Sequence, residues 1–349
     1  MVKAEPRLMP IGVDEAGRLP LPWLAQPLAA AIALERSHAL LAQGPAGVGH
    51  LEFGLVLAQA WLCESSAARP CGHCASCRLV RTRVHPDLLI MLPDALREAL
   101  GWMSDEERAR IDGKPSRDLR IQQVREAVDW SHNTSGRGRG KALLLHPADA
   151  LNLAAANALL KTLEEPASGL RIVLTTLDAE RLLPTLRSRC QRLRLELPPA
   201  AQAAQWLAAQ GVSDARALLA LSGGSPIEAL ALASEGFDAA LIADLPRRVA
   251  AGDAGPLLGR ALPRVIDLLI RLAHDLQATL AGGKPRFYVG AAWPARGEMS
   301  ALVQWQRALL RAARHDDHPW NAPLLVQSLV TQAAAIWPRA AGASLHSGR

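Results

Sequence analysis

At 349 residues the chain exceeds the size at which one core keeps growing, so two or three domains are expected, and an apolar half of the residues can fill them. A formal charge of +6 permits a nucleic-acid surface without requiring one, while aromatics at 4% leave too few rings for a platform that stacks single strands. No apolar run approaches the ~18 to 20 residues of a membrane span, and the segment around Glu5, Pro6, Pro10, Asp14 and Glu15 has no signal-peptide core, so a cytoplasmic location is the default.

Trp23 to His38 reads as a first helix, with Leu24, Leu28, Ile32 and Leu34 on or near one face. Ala39 to Gln43 is a short buried strand, followed by Gly44-Pro45-Ala46-Gly47-Val48-Gly49-His50-Leu51 and an apolar helix from about Glu52 to Leu62. Strand, Gly-rich turn and helix form the context of a phosphate-cradling loop. A working loop needs Lys after its second anchoring Gly, to reach the β- and γ-phosphates, and then Ser or Thr for Mg²⁺. Here His50 and Leu51 stand in those places. Gly44, Gly49, His50 and Leu51 therefore read as a degenerate loop, a structural turn in which no ATP is expected.

Cys63, Cys71, Cys74 and Cys77 follow, spaced C-x7-C-x2-C-x2-C. In a cytosolic chain they are not expected as disulfides. Four thiolates so close match a tetrahedral zinc site, with Gly72, Ala75 and Ser76 small enough for tight knuckles. Iron–sulfur runs share the C-x2-C-x2-C half but take a further Cys downstream, whereas here the fourth lies upstream, so structural zinc is the expectation. His73 falls in a knuckle, outside a shell that four sulfurs already close.

Pro86 to Met91 is a third strand candidate. The charged stretch Pro93 to Arg120, interrupted by Gly101, Gly113 and Pro115, reads as an exposed insertion without an assigned role. Ile121 to Trp130 is an amphipathic helix, and the basic, Gly-rich Ser135 to Lys141 reads as a solvated loop.

The stretch from Lys141 to Cys190 organises the first domain. Ala142 to Leu145 and Arg171 to Thr176 are apolar without alternation, as in a parallel sheet with helices on both faces. Between them a helix from about Asn152 to Glu165 carries a stripe of Leu153, Ala156, Leu160 and Leu163, capped by Asn152 and stopped by Pro166. A nucleotide-hydrolysing sheet has acidic residues after the first of these strands. His146 and Pro147 occupy that place, and neither is a good Mg²⁺ ligand. The basic turn Arg187-Ser188-Arg189-Cys190 leads to a last strand, Leu193 to Leu197, and Pro198-Pro199 marks a boundary. Ala200 to about Leu245 is a compact helical region, and the Ala- and Leu-rich remainder is helical, broken at Gly282-Gly283 and Trp293-Pro294.

On Ala154 to Pro166 (AAANALLKTLEEP), Leu182 to Cys190 (LLPTLRSRC) and the cysteine cluster, the chain resembles the delta-prime subunit family of the bacterial DNA polymerase III clamp loader, within the AAA+ ATPases. Ala220 to Leu230 (ALSGGSPIEAL) and Asn321 to Leu329 (NAPLLVQSL) add weaker support. The first two motifs are shared with gamma/tau ATPase subunits. Where active gamma-like chains carry the loop Lys, an Asp-Glu pair and a lid Arg, this one has His50, His146-Pro147 and Ile227.

The resemblance implies an α/β plus all-α architecture. Its parts are an AAA+ parallel-sheet domain at 1–197 with a zinc module at 63–77, a small helical lid at 198–245 and a C-terminal helical collar at 246–349 that oligomerises. It further implies a subunit that is no enzyme on its own but serves a DNA-directed DNA polymerase holoenzyme. With gamma/tau ATPase and delta subunits it would place the sliding clamp on primed DNA. Arg189 would be an arginine finger supplied in trans, with Arg187 the nearest rival. The alternatives are an active DNA-dependent ATPase of gamma/tau type, whose Lys-Ser/Thr pair is absent, and a zinc-containing DNA-binding scaffold, which a strongly salt-dependent affinity would favour.

Overall fold

Five short strands form one all-parallel sheet: Ala39–Gln43 (β1), Leu88–Met91 (β2), Lys141–Leu145 (β3), Leu170–Thr176 (β4) and Gln191–Arg194 (β5), ordered β2-β3-β4-β1-β5. The computed structural model describes residues 10–34, 37–293, 297–314 and 320–337, and the chain falls into two units, Met1–Pro199 and Ala200–Arg349. The sheet belongs to the first unit. Its inner strands β3, β4 and β1 are the apolar runs without alternation, because helices cover both faces. The edge strand β5 is polar and exposed. It ends earlier than the apolar pattern suggests, because its only partner, β1, ends at Gln43, paired with Arg194.

A turn of 3₁₀ helix at Pro22–Leu24 runs into Ala25–Ala33 (α1). The helix ends at Ala33, and Leu34 leaves helical geometry (ψ 56°); of the expected extension to His38, Glu35 and Arg36 lie outside the described residues and Ser37 and His38 are not helical. His50–Leu62 (α2) is buried along almost its whole length, packed on β3 and β4. Ala75–Arg81 (α3) follows the cysteine segment. The insertion is folded: Asp94–Ala99 (α4) and Asp105–Ala109 (α5) are joined by ion pairs Arg97–Glu107 at 2.6 Å and Arg108–Glu98 at 2.5 Å, and a Ser104–Glu107 capping box starts α5. Ile121–His132 (α6) packs beside Leu153–Glu164 (α7). Asn152 caps α7 as expected, its Oδ1 accepting the Ala155 N–H at 2.9 Å. The buried face of α7, however, is Ala155, Ala156, Leu159, Thr162 and Leu163, and Leu153 is 65% exposed. The first turn thus enters the core through Ala155 and Ala156, while Leu153 at the helix start faces away from it. Pro184–Arg187 (α8) is a single turn before β5.

The Ser135–Lys141 segment is pinned rather than loose. The buried Asp87 carboxylate accepts the Ser135 hydroxyl at 3.0 Å and the N–H groups of Gly136 and Arg137 at 2.7 and 2.9 Å. Burial pushes this carboxyl up, but those donors outweigh it and hold Asp87 below its ordinary value.

The second unit is helical: Ala200–Ala209 (α9), Ala215–Leu221 (α10), Pro226–Ser234 (α11), Ala239–Ala250 (α12), Leu262–Leu280 (α13), Met299–Arg314 (α14) and Ala322–Ala334 (α15). On α13, Arg264 and Arg271 both reach Glu228 of α11, at 2.9 and 2.7 Å, so helices assigned to lid and collar share one charge network. Pro294, one of the expected breaks, lies outside the described residues. Among the described residues no single helix is long and apolar enough to cross a bilayer.

Candidate functional site

The four cysteines come together because α2 and α3 bracket them. Cys63 leaves α2 in extended geometry (ψ 133°), and Cys74 caps α3, its Sγ accepting the Cys77 N–H at 3.4 Å. All four Sγ atoms lie within 4.8 Å of one another, with Cys63–Cys74 at 4.0 Å and Cys71–Cys77 at 3.9 Å. Sulfurs ~2.3 Å from a tetrahedral ion would sit roughly 3.8 Å apart, so the cage has the dimensions of a metal site. The Cys71 N–H points at Cys63 Sγ and the Cys74 N–H at Cys71 Sγ, each at 3.4 Å, which favours thiolate over thiol. At Cys71 burial opposes ionisation, yet the N–H groups of Cys74 and His73 win and bring the thiol to about 6. Burial pushes Cys63 and Cys77 up. In metal-free protein Cys71 would thus ionise before Cys63 and Cys77, and a coordinated cation favours the thiolate form of its ligands.

Gly72 is required at its knuckle. A Cβ there would fall 1.8 Å from the Asp14 carbonyl oxygen, so the 12–18 segment closes on the module only over a glycine. His73 turns away, its Nδ1 2.9 Å from the Cys71 carbonyl oxygen. Cys190 stands apart, buried alone with its thiol pushed up to about 12 by desolvation.

The Gly-rich turn lies between β1 and α2, at the carboxyl end of the sheet. Gly44 has a packing reason that needs no ligand, since a Cβ would meet the Leu195 carbonyl oxygen at 2.3 Å. Trp23 Nε1–H donates to the Val48 carbonyl at 2.8 Å and fixes the turn from outside. His50 opens α2, is 4% exposed, and is held at about 4 by burial, with its Nε2 unpartnered. His146, just past β3, is likewise held at about 4, by burial first and by the nearby His50 charge second. Its Nδ1 lies 2.6 Å from Thr175 Oγ1. Two neutral imidazoles thus occupy the region where a triphosphate needs a cation and Mg²⁺ needs oxygens. Leu51 is half-buried beside His50 and adds no polar group, and Pro147 follows His146.

Sequence reasoning passed over Asp149, the one carboxylate whose charge acts on both histidines. It accepts the Thr176 hydroxyl at 2.8 Å and faces Arg181 at 3.7 Å. Its only sequence signal is its distance from the end of β3.

Arg189 precedes β5 by two residues, whereas the Gly-rich turn follows the other end of the parallel β1. The length of the strands, ~13 Å for four residues, therefore separates this arginine from its own chain's turn. Its Nε donates to Glu164 Oε1 at 2.6 Å and its Nη1 to the Thr185 carbonyl at 2.7 Å, with the side chain 33% exposed. Arg187 is differently placed. It is 15% exposed, pairs with Glu180, donates to the Ala179 carbonyl at 3.2 Å, and buries an Nε without a partner. Arg189 borders an open groove of about 690 Å³ with Leu34, His38 and Gln191. Ile227, which stands where the resemblance leads one to expect a lid Arg, is half-buried on α11 of the second unit.

A family model described as DNA polymerase III, delta subunit, matches residues 24–199. The DNA polymerase III subunit delta' of Pseudomonas aeruginosa is 38% identical over 208 residues, covering 58% of this chain and 57% of that protein. That of Escherichia coli is 35% identical over 219 residues, covering 60% of each. The E. coli subunit tau is 31% identical over 160 residues, 46% of this chain and 22% of tau. The chain thus spans between 57% and 60% of the length of the two delta' relatives.

Proposed function

The chain belongs to the DNA polymerase III delta-subunit family, and on that premise we propose that it is a non-hydrolysing clamp-loader subunit of the delta-prime kind. It would work in the cytoplasm beside gamma/tau ATPase subunits and a delta subunit, helping them open the sliding clamp and set it on primed DNA. The observation that carries this reading is the separation within one sheet: the turn that would bind ATP has lost its chemistry to His50 and His146, while a partly exposed arginine stands at the opposite end. An arginine there is of no use to its own turn. It makes sense against a nucleotide held by a neighbour.

The chemistry is electrostatic. A planar, permanently charged guanidinium would leave Glu164 and meet the charge that develops on a neighbour's γ-phosphate, with little effect on ground-state binding. Glu164 would hold the fork until the neighbour arrives. The closed shell of four thiolates suits structural zinc, held by Cys63, Cys71, Cys74 and Cys77. The ion would clamp the loop between α2 and α3 and take no part in chemistry. The three-part division at 197 and 245, with an oligomerising collar, belongs to the same proposal.

The test is a loader reconstituted with Arg189→Ala. Assembly should be intact, ATP affinity nearly unchanged, and turnover at the adjoining site reduced on the order of 10³-fold or more, diluted in the whole complex by sites that keep their own fingers. Arg189→Lys should rescue poorly, because an ammonium loses the fork. Wild-type ATPase and clamp loading in an assembled Arg189→Ala complex would make Arg189 structural.

A further inference from the structure

Three arginines with no part in the sites above surround a cleft of about 190 Å³ at the amino end of the sheet, where Arg69, Arg139 and Arg171 meet Trp61. Arg171 is the second residue of β4, Arg139 lies two residues before β3, and Arg69 sits in the loop between Cys63 and Cys71. Three separate segments thus bring positive charge to one place.

None of the three makes an ion pair among the described residues. Two are fixed by neutral partners. Arg139 Nη2 donates to the Glu64 carbonyl at 2.7 Å, and Arg69 Nε to the Ser65 carbonyl at 2.8 Å. The Glu64 carboxylate is engaged by Arg137, whose Nε lies 3.1 Å from it. The guanidinium of Arg171 has no hydrogen-bond partner among the described residues and rests 5.8 Å from the Trp61 ring. The Asp87 clamp holds the backbone at Gly136 and Arg137, two residues before Arg139.

Guanidinium forks match phosphate oxygens, and charge-assisted bonds are the strong ones. Like charges converging without a counter-ion repel, and an anion between them removes that cost. The space equals about six waters at ~30 Å³ each, enough for one phosphate group and too little for a whole nucleotide. Arg171 already faces the Trp61 ring, so the indole supports the cation rather than stacking on a base. We propose that this cleft binds one phosphate of a nucleic-acid backbone, without regard to sequence. The inference goes beyond the clamp-loader reading, and it is tested on the chain alone, so either can fail without the other.

The probe is a fluorescently labelled single-stranded oligonucleotide of about 20 nucleotides, titrated with full-length chain between ~50 and ~200 mM salt. Arg69→Ala/Arg139→Ala should weaken binding on the order of tenfold at low salt. It should also make the slope of log affinity against log salt shallower by about 1. Arg110→Ala, an exposed arginine on the insertion, should leave the slope unchanged. Thermal melting checks that the double variant is folded, and Arg139→Glu, at an exposed loop position, repeats the test if it is not. Inorganic phosphate, measured by calorimetry, separates the sources. Wild-type affinity and slope in a folded double variant would overturn the proposal. So would binding of free phosphate without any binding of the oligonucleotide.

Discussion

The two ends of the parallel sheet have gone separate ways. At the carboxyl ends of the strands, where open α/β sheets usually hold their ligands, the chain places a buried His50 and a half-buried His146, both neutral. At the amino ends it gathers the cysteine cage, Arg189 and the arginine cleft. Charge and metal-binding capacity have collected at the end that the architecture does not favour. On the proposed reading, a sheet can keep its shape after its customary site falls silent, because the packing around that site, Gly44 against Leu195 for example, lies beside the strand pairing of β1 and β5.

The largest effect that would sharpen this contrast is metal removal. Structural zinc contributes apparent binding energies of ~10–16 kcal/mol in small peptides. Cys71→Ser/Cys74→Ser should lose one equivalent of zinc by elemental analysis and open residues 63–77 to protease while leaving the sheet folded. A variant that keeps its metal would place the site elsewhere.

Next comes the pair of arginines in the turn before β5. Arg187 is tied into its own chain, so Arg187→Ala should lower the melting temperature by several degrees, roughly 2–4 °C per kcal/mol at this size, and leave turnover per assembled complex alone. Arg189→Ala should do the reverse. Equal loss of turnover in both would erase the distinction drawn between them.

The silent end has its own signature in acid. Each imidazole is held at about 4, against an ordinary value of 6.5, so the unfolded chain takes up these protons first. Stability is whole above pH 6.5 and falls as pH drops from there towards 4. At pH 5 the loss is about 2 kcal/mol per imidazole, and His50→Gln/His146→Gln should flatten that part of the profile in urea titrations at pH 7 and 5. An unchanged profile would mean the histidines are not dry.

The smallest effect belongs to Glu164→Gln. An exposed ion pair is worth ~0–1 kcal/mol, so freeing Arg189 should hardly alter stability, and a loss well above that would show the pair to be structural.

What could be read in the sequence depended on whether residue type alone settles a question. The expectations drawn from His50 in the place of a Lys, from His146-Pro147 in the place of an acidic pair and from four close cysteines rest on residue type, wherever the side chains point. The inner strands were legible because parallel strands under helices must be apolar on both faces. Leu153 was not: helical spacing puts it on the stripe, but the face of α7 that enters the core is the one carrying Ala155, Ala156 and Leu159. The Ser135–Lys141 loop looks solvated by composition, and its anchor, Asp87, comes from the turn before β2, 48 to 50 residues earlier. The pairing of Arg189 with Glu164 and the convergence of Arg69, Arg139 and Arg171 are products of topology, with no trace in local pattern.

Helix α2 gives the cysteine cage an unequal footing. Its residues are buried from Phe53 to Ala60, so their amides should exchange hydrogen only when the first unit opens as a whole, whereas the Cys63–Cys71 loop and the seven-residue α3 should open by themselves. Cys63 stands at the seam between a slow region and a fast one. A metal held there would leave by the fast door: a chelator should strip it at the pace of local opening, with deuterium entering residues 66–77 while 53–60 stay dark. The clasp would come undone many times within the lifetime of a single folded sheet.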